Sequence, residues 1–92
     1  MGKTALILAA HNKFNSQYDL IDLLLKYRAN IDLFDVEGNT ALIYTSKRGY
    51  SDVIDLLLPY NPNLNIINNY GETALIWAKF NYIAETLFVE YS

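Results

Sequence analysis

The sequence predicts an all-α solenoid of three stacked helix-turn-helix units. Two observations carry this. Gly-x-Thr-Ala-Leu occurs three times, as Gly2-Lys3-Thr4-Ala5-Leu6, Gly38-Asn39-Thr40-Ala41-Leu42 and Gly71-Glu72-Thr73-Ala74-Leu75, at separations of 36 and 33 residues. A period in the low thirties marks a stacked array of supersecondary units. After the motif, apolar or small residues recur at i, i+1, i+4 and i+5, one face of a helix. The 92 residues make one domain. Its units are expected at 2–37, 38–70 and 71–92, the last C-terminally incomplete.

Each element follows from its residues. Thr4 is a good N-cap, its hydroxyl able to accept from an amide two or three residues on. Ala5, Leu6, Ala9 and Ala10 then line a helix ending near Asn12. Lys13-Phe14-Asn15 makes a turn, and Ser16 is expected to cap a second helix over about 17–27, with Asp19 completing a capping box. Leu20, Ile21, Leu24 and Leu25 form its apolar stripe. Helices this short are marginal alone and need a neighbour. The connector that follows ends in Asp35-Val36-Glu37-Gly38, a turn in which Asp bonds the backbone ahead and Gly supplies positive φ.

The second unit repeats the scheme more cleanly. Thr40 caps, Ala41, Leu42, Thr45 and Ser46 face the stack, and Gly49 ends the helix. Ser51 is expected to cap the next, with Val53, Ile54, Leu57 and Leu58 inward and Pro59 stopping it. In the third unit Thr73 caps and Ala74, Leu75 and Ala78 face the stack. Ile83, Ala84, Leu87 and Phe88 mark a last helix after a turn about three residues shorter.

With the Leu23-Leu24-Leu25 and Leu56-Leu57-Leu58 triplets and the Asn/Asp-bearing connectors, this pattern resembles the ankyrin repeat over essentially the whole chain. The resemblance implies L-shaped units with β-hairpin-like fingers, a concave surface of fingers and first helices, protein partners, and no catalytic residues. The family's Thr-Pro-Leu-His is Thr-Ala-Leu-Ile here at Thr4–Ile7, Thr40–Ile43 and Thr73–Ile76. That gives up the preorganised Pro at the first helical position. Gly is expected after each second helix; Arg28 and Asn61 stand there instead. The ends lack the polar capping helices such arrays use, so either the array is longer or its ends find each other.

Composition narrows function. Net charge is −3, with seven Lys and Arg against ten Asp and Glu, which argues against a nucleic-acid backbone as the partner. With no cysteine there is no disulfide scaffold and no thiolate metal site. The apolar run at 5–10 is too short for a signal peptide or a membrane span. A cytoplasmic, intracellular location is the expectation, with delivery into a host cell left open. His11 is the only histidine and lacks companion ligands, so it reads as a polar residue ending a helix. Asp19/Asp22 and Asp52/Asp55 read as solvated faces and not as acid–base pairs. No cofactor, metal or catalytic site is expected.

Carried over residue by residue, the resemblance implies a partner surface of Val36, Glu37, Asn39, Lys47 and Arg48 in the second unit. In the third it implies Asn69, Tyr70, Glu72, Phe80 and Asn81, and in the first Lys3, His11 and Asn12. Asn39, with Lys3 and Glu72 at matching positions, is expected to face outward. Tyr70 and Phe80 are the aromatic candidates for interface anchors, with core packing as the other reading of Phe80. Tyr44 and Trp77 are expected in the core with part of each ring exposed. Leu33, Phe34, Ile66 and Ile67 are expected to form an apolar patch along the fingers. The function expected is rigid display of a protein-binding surface; the alternative is a structural segment that stacks end to end.

Overall fold

The computed structural model describes residues 4–12, 15 and 17–80, with side chains through Trp77. Lys3, Ser16, Asn81, the Phe80 side chain and the expected last helix lie outside the described residues. Within them the architecture is helical, with no strand. Helix α1 spans Ala5–Ala10, α2 Tyr18–Lys26, α3 Ala41–Arg48, α4 Ser51–Leu57 and α5 Ala74–Phe80, and a 3-10 turn covers Leu58–Tyr60. The first helices α1, α3 and α5 stack in sequence, with α3 in the middle; α2 packs on α1 and α4, and α4 on α3.

The recurring threonine starts each first helix as expected. Thr4 Oγ1 accepts from Ile7 N and Thr40 Oγ1 from Ile43 N, both at 3.2 Å. Thr73 Oγ1 accepts from Ile76 N at 3.4 Å. The second helices start differently. Ser51 is the first residue of α4 and Tyr50 is its N-cap, with no side-chain cap. Gln17 is the N-cap of α2, in left-handed backbone and again without a side-chain bond. These helices begin inside a hairpin whose partner is already in place, so packing replaces the cap.

Burial follows position in the stack. Helix α3 has neighbours on several sides and buries every residue from Ala41 to Ser46. In α4 and the 3-10 turn that follows it, all four expected residues, Val53, Ile54, Leu57 and Leu58, are buried. The first unit departs from expectation. Ile7 is buried and Ala5 exposed, which rotates the α1 face by about one residue. In α2, Ile21 and Leu25 are buried, Leu24 is half-buried, and Leu20 is 44% exposed. Pattern alone cannot tell which edge of a broad apolar stripe meets the neighbouring helix.

Helix ends settle the two missing glycines. Arg28 and Asn61 have φ of 64° and 61°, the left-handed region that glycine takes without cost. Arg28 N bonds Leu25 O at 3.0 Å and Ala29 N bonds Leu24 O at 3.1 Å, the paired bonds of a Schellman closure. Gly49, φ 74°, closes α3 through the same pair, with Gly49 N on Ser46 O and Tyr50 N on Thr45 O. Replacing Arg28 by Gly should therefore raise stability by about 0.5–1 kcal/mol, the left-handed penalty less the extra chain entropy of Gly. Urea unfolding checks this, and a loss of stability would contradict it.

Candidate functional site

The connectors form two fingers built on one plan, 33 residues apart. In the first, Asp35 Oδ1 accepts from Glu37 N and Asn39 N, both at 3.0 Å. Gly38 N reaches back to Asp35 O at 2.9 Å, and Asp35 N bonds Asn39 O at 3.1 Å. In the second, Asn68 Oδ1 accepts from Tyr70 N and Glu72 N, both at 2.9 Å. Gly71 N bonds Asn68 O and Asn68 N bonds Glu72 O. An Asp or Asn oxygen at the finger base thus collects two backbone donors of the turn. Asp35 and Asn68 are both buried.

The fingers are also bonded to each other. Asn69 N donates to Glu37 O and Asn69 Nδ2 to Val36 O, both at 2.8 Å. The Tyr70 hydroxyl donates to Glu37 Oε2 at 3.1 Å. Lower down, Asn68 Nδ2 donates to Asn39 Oδ1 at 2.8 Å, and Asn63 N to Asp32 Oδ1 at 2.8 Å. The structure therefore brings together four of the expected surface residues, Val36, Glu37, Asn69 and Tyr70, at adjacent finger tips. All four are exposed.

Asn39 corrects the expectation most sharply. It was expected to face outward; it is 5% exposed and takes the Asn68 amide. The next finger covers it, so this position couples repeats and is not part of the open surface. Glu72 is half-buried and accepts from Asn68 Nδ2 at 2.9 Å, which gives it the same bracing role in part. On the first helices, Lys47 is exposed with its Nζ 5.2 Å from the Trp77 ring centroid, a cation–π contact that links α3 to α5. Arg48 is half-buried. His11 ends α1 and packs its ring on Tyr44, centroids 4.3 Å apart, and Asn12 O accepts the Tyr50 hydroxyl at 2.5 Å. Both first-unit residues join repeats and present less open surface than expected.

Tyr44 is the main residue whose role the sequence left unread. It is 2% exposed, wholly in the core, and its hydroxyl donates to Asp35 Oδ2. Helix α3 thereby holds the base of the first finger. Burial, and then the bond to Asp35, push the Tyr44 hydroxyl up to about 12 from 10. The folded state favours the neutral phenol. Its contribution is therefore complete below pH 10 and is lost as pH rises through 12. Stability should fall across that window. Tyr44→Phe should flatten that step in a pH series of thermal melts; an unchanged alkaline slope would contradict the assignment. The exposed Tyr70 hydroxyl is also held up, by its bond to Glu37.

Three of the four apolar connector residues expected at the surface are exposed. Leu33, Phe34 and Ile67 are 43%, 60% and 63% exposed, whereas Ile66 packs against the core. Val36 and Tyr70, at the finger tips, are 72% and 67% exposed. Phe34 and Ile67 occupy the same place on successive fingers, so the surface carries repeated large apolar groups on a braced frame. Trp77 is half-buried against the core, as expected. Among the described residues no group of His, Cys, Asp and Glu could hold a metal ion, and no helix is long and apolar enough to cross a membrane.

A family model for ankyrin repeats matches residues 6–91 in three copies. No curated protein matches the chain.

Proposed function

The chain belongs to the ankyrin-repeat family, whose members generally are protein–protein interaction modules, and on that premise we propose that it holds a protein partner on the surface of its fingers and first helices. The observation that supports this is the row of exposed Phe34, Val36, Ile67 and Tyr70 on fingers bonded to one another. Large exposed apolar groups on a frame already fixed by hydrogen bonds lose little conformational entropy on binding. Lys47 extends the same surface onto α3. Phe80 and Asn81 remain candidate contacts in the third unit. Family members are typically non-catalytic, and the surface is read as a binding surface alone.

A second reading, end-to-end stacking of copies, draws on the other end of the array. Leu8 and Leu20 are 57% and 44% exposed, and with Ala5, Ala9, Asn12 and Gln17 they line a shallow groove. One experiment separates the two. Wild-type chain and a Phe34→Ser, Ile67→Ser variant are each used for affinity capture, and both are sized by light scattering. The proposal expects proteins retained by wild type and lost by the variant, from a chain that stays monomeric. Identical capture by both would overturn it, and a concentration-dependent mass abolished by Leu8→Glu would favour stacking.

A further inference from the structure

The finger surface carries a charge pattern that specifies its partner further. Residues 29–46 and 61–77, which include both fingers and the helix starts beneath them, hold Asp32, Asp35, Glu37 and Glu72 and no Lys or Arg. Among the cations whose side chains are described, Lys26 and Arg28 lie on α2 and at its end, and Lys47 and Arg48 at the end of α3, where they flank the fingers and do not stand on them. The finger tips are thus apolar and anionic together. Glu37 is exposed at the centre of this surface, beside Val36, Asn69 and Tyr70. One of its oxygens accepts the Tyr70 hydroxyl, and a carboxylate has lone pairs for further donors.

Four carboxylates do not all contribute equally. Asp35 is buried and committed to the turn and to Tyr44. Asp32 and Glu72 are half-buried and accept from Asn63 and Asn68. They set the sign of the local field, and Glu37 is the group able to meet a partner's cation directly. An acidic segment docking there would meet like charge, with no cation on the two described fingers to pair with, which costs affinity and association rate.

We propose that the finger surface takes a basic, apolar segment of a partner protein. Its Lys or Arg side chains pair with Glu37, and its large apolar side chains cover Phe34, Ile67 and Val36. This rests on the protein-binding reading above and adds the chemistry of the partner.

The test uses the full chain, immobilised, and a displayed library of random dodecapeptides. Selected peptides are counter-screened on Phe34→Ser, Ile67→Ser to keep those that need the fingers, and their affinities are measured on wild type and on Glu37→Lys. Thermal melts check that both variants fold. The expected result is finger-dependent peptides with net positive charge and apolar residues. Their Kd should rise about tenfold or more on Glu37→Lys, and should weaken as salt is raised. Finger-dependent peptides that are acidic or neutral and indifferent to Glu37→Lys would overturn this inference and leave protein binding at the fingers standing. Failure to recover any finger-dependent peptide would overturn both.

Discussion

Asp35→Ala should lower stability by about 3–5 kcal/mol, the largest effect of any single substitution in the fingers. It removes the acceptor for the Glu37 and Asn39 amides and for the Tyr44 hydroxyl. A buried donor left without its partner incurs its desolvation cost in full, about 1–3 kcal/mol each. Asp35→Asn should cost far less. Asn stands at the matching position of the second finger, where Asn68 Oδ1 serves two amides in the same way. Urea unfolding followed by circular dichroism gives the ranking. Asp35→Ala within 1 kcal/mol of wild type would mean that the turn does not depend on this carboxylate. Single domains are stable by only about 5–15 kcal/mol, so the predicted loss would leave the chain near its folding threshold.

Gly38→Ala and Gly71→Ala should separate two costs that a turn glycine can carry. Both residues have positive φ, at 80° and 77°. A methyl at Gly71 meets nothing within 4 Å, so its cost is conformational, about 1 kcal/mol. At Gly38 the same methyl would lie 2.9 Å from Asn68 Cα and 3.1 Å from Asn69 N, both backbone atoms of the next finger. Backbone cannot turn aside as a side chain can. Gly38→Ala should therefore cost about 2–4 kcal/mol, adding overpacking to the left-handed penalty. It should also loosen the Asn69 bonds to Val36 and Glu37. Equal costs at the two glycines would show that the fingers are not in close contact.

The fold was legible because its signals are local and repeated. Thr4, Thr40 and Thr73 cap within their own turn, and the Asp35 turn closes within five residues. What the sequence did not reveal depends on contacts between repeats. Asn39 looks like a variable outward position within its motif; only the amide of Asn68, 29 residues on, buries it. Gly38 looks like a turn glycine until the next finger is seen against it. Tyr44 was legible as core, but its bond to the finger base joins residues nine apart through packing that no pattern encodes. Leu20 and Ala5 show the same limit in the helices, where an i, i+1, i+4, i+5 stripe is broader than the face that the first unit buries.

Of the expected surface, the finger-tip residues were the most legible. Val36, Glu37, Asn69 and Tyr70 come together because corresponding fingers lie side by side at the repeat spacing. The exposed Phe34 and Ile67 were legible as apolar residues with no helical period to absorb them. Ile66 was not, since its packing against the core depends on the bend of the connector.

The two fingers form one surface, each braced by its own Asp or Asn and by the other. Amide hydrogen exchange at Glu37, Asn39, Tyr70 and Glu72 tests it most directly, because these four donors are the ones that Asp35 and Asn68 collect. All four should exchange only through the opening that also releases the amides of α3, with protection lost together in Asp35→Ala. Exchange at the rates of an unstructured loop, while α3 stays protected, would contradict it.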